Sequence, residues 1–301
     1  MCIYRRERPR LGHLAVSLDN CIKNGPSDVL KNLEDYGKIC SLACGSLLVV
    51  SWLLTVVFLS APILLNERVL PFASYYPFDY DNSTILYVIA YGHEAVLTCL
   101  GCCTMSTEIT FVWSIFHCCS RLRVLRHELS NLSNLENNDD EKFPDKISSK
   151  LSSLMDLHYE VLRDLVEINL AYTYITSVLF FAALIAICCA GLQITGSSLE
   201  SSNWTAGLFL VLAMYYAEQL LFYYLPGEIV AQEAMGVAFA AYTSGWETLD
   251  VKYRKTIGLI IMRSQLPPRL FVGQLIPLRL ENYGAFLTTT ASYFTSIRAV
   301  A

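Results

Sequence analysis

Long stretches without a charged side chain limit this chain's possible folds more than any other feature. No charge occurs between Lys38 and Glu67, and residues 40–65 form one apolar run. The hydrocarbon core of a bilayer is about 30 Å thick, so a helix of about 20 apolar residues crosses it. With 54% hydrophobic and 16% charged residues, the chain is too apolar for an ordinary soluble domain. Lipid is therefore the predicted solvent for much of it.

Five segments are predicted to cross the membrane as helices, so the predicted fold class is an all-α, polytopic membrane helical bundle. Each is an apolar run between more polar stretches, and together they are residues 40–65, 84–120, 168–195, 204–225 and 282–297. The third contains no charged residue and is the clearest of the five. The fifth ends before Arg298 and is marginal on length alone.

Lys and Arg are unevenly divided among the segments that join these spans. Residues 1–39, 121–167 and 226–281 contain all of the 22 basic residues except Arg68 and Arg298. Cytoplasmic loops of membrane proteins carry an excess of basic residues. The predicted N-terminus is therefore cytoplasmic, and five spans place the C-terminus outside the cell.

Acceptor sequons for N-linked glycosylation give an independent check on this orientation. The sequons at Asn82 and Asn203 fall in loops that the charge distribution places outside, so both asparagines are candidate glycosylation sites. The sequon at Asn131 falls in a predicted cytoplasmic loop and should be silent.

The same pattern divides the chain into four parts. They are a cytoplasmic N-terminal segment (1–39), a bundle of four spans (40–225, including the cytoplasmic loop 121–167), a cytoplasmic anchor (226–281) and the last span (282–301). Apolar residues at three- and four-residue spacing on both sides of the loop predict that spans two and three continue as helices into the cytoplasm. In the anchor, residues 229–262 predict a helix with one buried face.

Motifs for catalysis, metal binding and nucleic-acid binding are absent from the sequence. It contains no Gly-rich phosphate loop and no HExxH or GxSxG motif, so neither an enzymatic activity nor a cofactor is predicted. Cys99 and Cys102 have the spacing of half a zinc site, but no second pair completes it, and no metal site is predicted. A net charge of −5 argues against a nucleic-acid partner.

Three segments of the sequence resemble the insect odorant receptors. They are LPFASYYPFD at 70–79, GEIVAQEAMGVAFAAYTSGW at 227–246 and IIMRSQLPPRLFVGQLIPLRLENYGAFLTTTASYFTSIRAV at 260–300. The last is the most specific, because it contains the tetrad Ser-Tyr-Phe-Thr at 292–295. The resemblance extends over essentially the whole chain from about residue 30 onward.

The resemblance implies a ligand-gated, non-selective cation channel in the plasma membrane of olfactory sensory neurons. Its ligand would be a volatile small-molecule odorant, and it would assemble with a shared co-receptor as a hetero-oligomeric tetramer. Members of the family have seven spans. The five spans predicted here look like the third to the seventh, so we expect the chain to be N-terminally truncated.

The resemblance also assigns roles to the last two parts of the chain. Subunits of such a channel meet through the cytoplasmic region, where Trp246 is expected to pack within the anchor. The last span surrounds the pore, with Ser292, Ser296 and Val300 on the lining face. The constriction is usually more apolar in this family than Ser296 would make it. We therefore expect an apolar partner subunit to supply much of the barrier in the closed channel.

Candidate ligand-binding residues are the aromatic, apolar and ionisable side chains of the spans. They are Phe58, Tyr87, Tyr91, His93, Glu94, Leu208, Leu212 and Tyr215. His93 and Glu94 lie roughly 15 Å into the second span, where ionisable groups are costly and often functional. A protonated Glu94 that is hydrogen-bonded between helices is an equally good interpretation, and ordinary helix packing explains the aromatic residues as well. Glu108 and Glu218, nearer the cytoplasmic ends, are better explained as interfacial carboxylates.

Two other functions remain open at this point. A gustatory-type receptor of the same channel superfamily would share the last helix but bind polar tastants. A fragment that joins channel assemblies through residues 229–262 without binding odorant would also fit the sequence.

Overall fold

The structure is a computed structural model that describes residues 27–65, 70, 74–80, 82–132, 143–196, 203–266 and 269–300. Within these ranges the chain forms α-helices and one short hairpin. The helices are α1 (Ser27–Leu65), α2 (Thr84–Ser130), α3 (Phe143–Gly196), α4 (Asn203–Tyr242), α5 (Val251–Ser264) and α6 (Leu280–Val300). The all-α prediction is confirmed. Most of the predicted N-terminal segment 1–39 lies outside the described residues.

Three helices are long and apolar enough to cross a membrane within the described ranges. These candidate spans are Cys40–Ser60 in α1, Thr84–Ser130 in α2 and Asp145–Gly191 in α3, with mean hydropathies of 2.4, 1.5 and 2.2. They overlap the first three predicted spans. The fourth and fifth predicted spans are helical within α4 and α6.

The predicted helical continuation of spans two and three is confirmed, and its cytoplasmic location stays a prediction. α2 continues to Ser130, and α3 begins at Phe143, long before the predicted span that starts at residue 168. With 54 residues, α3 is about 80 Å long at 1.5 Å per residue, far more than the bilayer core requires.

The predicted single helix over residues 229–262 is wrong. α4 runs without interruption from the fourth predicted span to Tyr242, and α5 begins at Val251. Between them Gly245 takes a left-handed conformation, with φ of 72°, and leads into a 3₁₀ turn at Trp246–Thr248. Glycine adopts this conformation without the steric cost that other residues meet, so it allows the chain to turn there.

The chain divides into two compact units. The N-terminal unit is Asp35–Thr110, and the C-terminal unit is Phe111–Ala301 together with Met1–Glu34. In the N-terminal unit, buried polar groups join α1 to α2: the Thr55 hydroxyl lies 2.7 Å from the Cys102 Sγ, and the Tyr91 hydroxyl donates to the Leu59 carbonyl at 2.6 Å.

The core of the C-terminal unit extends from the predicted cytoplasmic parts of the helices into the predicted spans. α3 and α4 pack against each other. Phe111 of α2 joins them, with its ring 5.0 Å from that of Tyr172 and 4.9 Å from that of Tyr223. The last helix is held by the contact of Phe286 with Phe180, at 4.8 Å between ring centres.

A two-stranded antiparallel hairpin connects α5 to α6. Its strands are β1 (Phe271–Val272) and β2 (Ile276–Pro277). The Phe271 N–H donates to the Asn169 Oδ1 at 2.7 Å, which attaches the hairpin to α3. Gly273 has a φ of 57°, and a Cβ there would lie 2.9 Å from the Ser177 hydroxyl, so both the turn and the close approach favour glycine.

Candidate ligand site and last helix

His93 and Glu94 meet a side chain from the segment that precedes α2. The Tyr76 hydroxyl lies 2.9 Å from His93 Nδ1 and 3.5 Å from Glu94 Oε1, and it is 3.3 Å from the Ala90 carbonyl. Glu94 is 2% exposed, whereas His93 is exposed. Burial, followed by the charge of Glu94, raises the pKa of Tyr76, so this hydroxyl remains a donor at neutral pH.

Aromatic rings surround this polar group on the side of residues 74–80. The Tyr76 ring lies 5.2 Å from that of Phe78, 6.0 Å from that of Tyr80 and 6.0 Å from that of His93. A donor, an acceptor and a carboxylate beside aromatic surface are the ingredients of a site for a small molecule with one polar group. Tyr76 was not among the sequence candidates, although the aromatic segment SYYPFDY was a signal for it.

The other candidates of the N-terminal unit lie on α1 and α2. Tyr87 and Tyr91 stack with their ring centres 6.1 Å apart. Phe58 is buried beside Leu59, whose carbonyl accepts the Tyr91 hydrogen bond. The Tyr91 hydroxyl is thus used for helix packing, as the alternative interpretation requires.

The candidates of the C-terminal unit follow one another along α4. Leu212 and Tyr215 are half-buried, and the Leu208 side chain lies outside the described residues. The Tyr215 hydroxyl accepts a hydrogen bond from Gln219 Nε2 at 3.0 Å, and its ring meets that of Tyr216 edge to face at 5.8 Å.

The predicted pore residues lie on α6. Ser292 and Ser296 are exposed, and each hydroxyl donates to the carbonyl four residues earlier, at 3.0 and 2.9 Å. Thr288, exposed one turn before Ser292, does the same to Gly284 at 2.9 Å. Thr288, Ser292 and Ser296 form a hydroxyl stripe along one side of the helix. The sequence analysis missed Thr288, although the four-residue spacing was visible. Val300 ends α6, and its side chain lies outside the described residues.

A charged network joins α2 to α3 and α4, and the anchor contains the predicted tryptophan. Arg121 is 2% exposed and pairs with Asp164 at 2.6 Å and with Glu160. Arg123 donates through Nε to Glu233 Oε1 at 2.7 Å. Trp246 is half-buried against the core, and its Nε1 is enclosed without a hydrogen-bond partner among the described residues.

A second charged contact joins α4 to the start of α6. Glu228 Oε2 accepts from Arg279 Nε at 2.7 Å, and Glu228 Oε1 accepts from Arg279 Nη2 at 3.2 Å. The hydrogen bond from Arg279 is the largest cause that lowers the pKa of Glu228, so its carboxylate is charged at neutral pH.

The remaining predicted positions are placed as follows. Asn82 is exposed, with its Nδ2 2.5 Å from Asp79 Oδ2, and Asn203 is the first residue of α4. Glu108 is buried and Glu218 is exposed. Cys99 is exposed while Cys102 is buried, and within the described ranges no three His, Cys, Asp or Glu side chains are grouped as metal ligands are.

Known proteins with similar sequences include insect odorant receptors. A family model described as the 7tm odorant receptor matches residues 1–291. Odorant receptor 30a of Drosophila melanogaster is 30% identical over 257 residues, which are 81% of this chain and 63% of that protein. Odorant receptor 10 of Aedes albopictus is 28% identical over 243 residues, which are 79% of this chain and 62% of that protein. The chain thus spans less than two thirds of the length of both relatives.

A solved structure has the same fold. The insect olfactory receptor OR5 from Machilis hrabei, in complex with eugenol, aligns with a TM-score of 0.76 and 20% sequence identity. The alignment covers 95% of this chain and 74% of that protein. At this level of identity the likeness concerns the fold.

Proposed function

Because the chain belongs to the insect odorant receptor family, we propose that it is a subunit of an odorant-gated, non-selective cation channel in the plasma membrane of olfactory sensory neurons. The family membership confirms the resemblance found in the sequence and favours an odorant over the polar tastant of the gustatory alternative. The proposal includes the orientation predicted from the basic residues, with the N-terminus in the cytoplasm and glycosylation possible at Asn82 and Asn203.

The observation that carries this proposal is the hydroxyl stripe of α6. A helix face that contacts lipid gains nothing from Thr and Ser. These residues are enriched where a helix packs against another helix or faces water. In a single subunit Thr288, Ser292 and Ser296 are exposed. A ring of subunits that directs this stripe toward a central axis would enclose a hydroxyl-lined path for hydrated cations.

Cysteine accessibility tests the path. Ser292→Cys is expected to make the odour-evoked current of cells that also express the co-receptor sensitive to an extracellular cationic thiol reagent. Leu287→Cys is the matched control, since at 100° per residue Leu287 lies on another side of α6 and is also exposed. Block of the control alone, or of neither variant despite wild-type currents, would contradict the pore assignment.

The ligand site is proposed to include Tyr76, His93 and Glu94, with the odorant's polar group near the Tyr76 hydroxyl. Tyr76→Phe removes only that hydroxyl, so it is expected to raise the half-maximal concentration of odorants that have a polar group, about tenfold for one lost hydrogen bond. A panel of phenols, eugenol among them, and hydrocarbons of similar size measures this. An equal shift for both classes would count against a direct contact.

Assembly with the co-receptor is proposed to use exposed apolar side chains of the anchor. On α4 and α5 these are Ile229, Met235, Phe239, Tyr242, Val251, Leu259 and Met262. Such a surface on helices predicted to project into the cytoplasm is typical of subunit interfaces. Phe239→Lys is expected to reduce co-purification with the co-receptor, while Lys252→Glu, at an exposed polar position, should not.

A further inference from the structure

Glu228 is at the centre of the contact between α4 and the start of α6. Besides its two hydrogen bonds from Arg279, its Oε2 accepts from the Leu280 N–H at 3.4 Å, and Gln232 Nε2 donates to its Oε1 at 3.2 Å. Its side chain is 14% exposed. A carboxylate that accepts an Arg fork and a first-turn N–H combines charge-assisted hydrogen bonding with a favourable position at a helix N-terminus.

The preceding residue brings the two backbones together at the same place. A Cβ on Gly227 would lie 2.3 Å from the Leu278 carbonyl oxygen and 2.8 Å from the Leu278 Cβ. Leu278 is buried, and its N–H donates to the Leu270 carbonyl at 2.8 Å, so this part of the linker is itself fixed. Glycine is therefore required for the close approach of α4 to the segment that enters α6.

The contact lies at a weak point of α4. Pro226 has no N–H to donate along the helix, and proline inside a helix removes one hydrogen bond of the ladder. Tyr215, a candidate ligand residue, lies on the same helix about 20 Å away at 1.5 Å per residue. α4 thus connects a candidate ligand position, a proline joint and the start of α6.

We propose that Glu228 is a positioning residue of the gate, which ties the first turn of α6 to α4 so that a ligand-induced shift of α4 is passed to the last helix. The inference rests on the proposed channel function. Glu228 itself is proposed to contact neither the ligand nor a permeating ion.

Electrical recording tests the coupling in cells that express the full chain with the co-receptor. The standing current is measured with Na⁺ as the permeant ion and no added odorant, and it is divided by the number of receptors labelled at the cell surface. Glu228→Gln is expected to change this current about threefold to tenfold, because one charge-assisted pair is lost. Arg279→Gln should act alike, and the double variant should differ little from either single one, because both remove the same interaction.

Glu281→Gln is the matched control. Glu281 is exposed in the same first turn and its variant loses the same charge, yet within the described part of the chain it makes no hydrogen bond or ion pair with α4. Gly227→Ala is a second test by another route, since it leaves every charge in place and pushes the linker away from α4. We expect its standing current to change in the same direction as that of Glu228→Gln.

Amide hydrogen exchange of the purified chain tests the tie without any current. The amides of residues 280–284 should exchange faster in Glu228→Gln than in wild type. In Glu281→Gln their exchange rate should equal that of wild type. Equal exchange in both variants would overturn the proposal, and so would faster exchange with an unaltered current, since the contact would then be only structural. If the wild type passed no current, the channel function would fail, and the exchange result would still decide whether Glu228 positions α6.

Discussion

The two halves of α3 present opposite surfaces, although they belong to one uninterrupted helix. In residues 145–167 the outer face carries Asp156, Glu160 and Arg163, whereas in residues 168–191 it carries Val178, Phe181 and Ile185. Only 17% of the most apolar 18-residue stretch of this helix is buried. Water is the solvent that suits the first surface, and lipid is the one that suits the second.

The buried faces of the two halves differ in the corresponding way. Residues 145–167 bury large apolar side chains, such as Leu154, Val161 and Leu165. Beyond Ile168 and Tyr172, which are large and buried at the boundary, residues 173–191 bury smaller side chains, among them Thr176, Ala183 and Ala190. The hydrophobic effect drives packing only where water is the alternative, while helices in lipid associate through close contact of small residues. The boundary near residue 168 therefore separates two different sources of stability.

The charged network below that boundary gives the largest predicted effect. Arg121→Ala would leave the buried Asp164 with only the more distant Arg163, whose Nη2 lies 3.6 Å from Asp164 Oδ1, so we expect a loss of about 3 kcal/mol of folding free energy. Lys150→Ala is the control, since its pair with Glu128 is more exposed and should contribute at most about 1 kcal/mol. Thermal unfolding of the purified variants measures both. Similar losses would show that burial does not distinguish the two pairs.

A charge added to the outer face compares the two solvents directly. Phe181 and Tyr159 are both exposed aromatic residues of α3, one on each side of the boundary, with 62% and 69% exposure. Phe181→Lys is expected to cost about 3 kcal/mol at mid-membrane depth and to reduce surface delivery strongly. Tyr159→Lys should have little effect, because water solvates the new charge. Surface biotinylation measures both variants, and equal delivery would refute the boundary.

The sequence predicted the parts of the fold that depend on one solvent at a time. The uncharged run from residue 168 and the basic loop before it place the boundary in α3 where the surface changes. Helical periodicity on both sides of the loop predicted the extensions that end at Ser130 and begin at Phe143. Periodicity reports which face is buried, and for these segments that was enough.

Contacts between distant residues were not predictable in the same way. Tyr76 reaches His93 across 17 positions, and Glu228 reaches Arg279 across 51. Residues of these types are common in loops and at interfaces, so the residue type alone does not identify the partner. Only tertiary packing selects it. The break after Tyr242 was missed because the helix-forming composition of residues 229–242 outweighed the single turn signal at Gly245.

Buried hydroxyls give the smallest effect and compare polar contacts in the two solvents. Thr55→Val removes the hydroxyl that lies 2.7 Å from Cys102 Sγ in the predicted membrane part, and about 0.6 kcal/mol should be lost, because the separated helices in lipid find other partners. Ser264→Ala removes the hydroxyl 3.2 Å from His158 Nε2 in the predicted cytoplasmic part, where about 1 kcal/mol is expected. Unfolding of both variants in the same detergent measures the order. A larger loss for Thr55→Val would mean that a hydroxyl contact contributes more to stability in lipid than in the part surrounded by water. The two regions would then differ in their polar contacts as well as in their apolar ones.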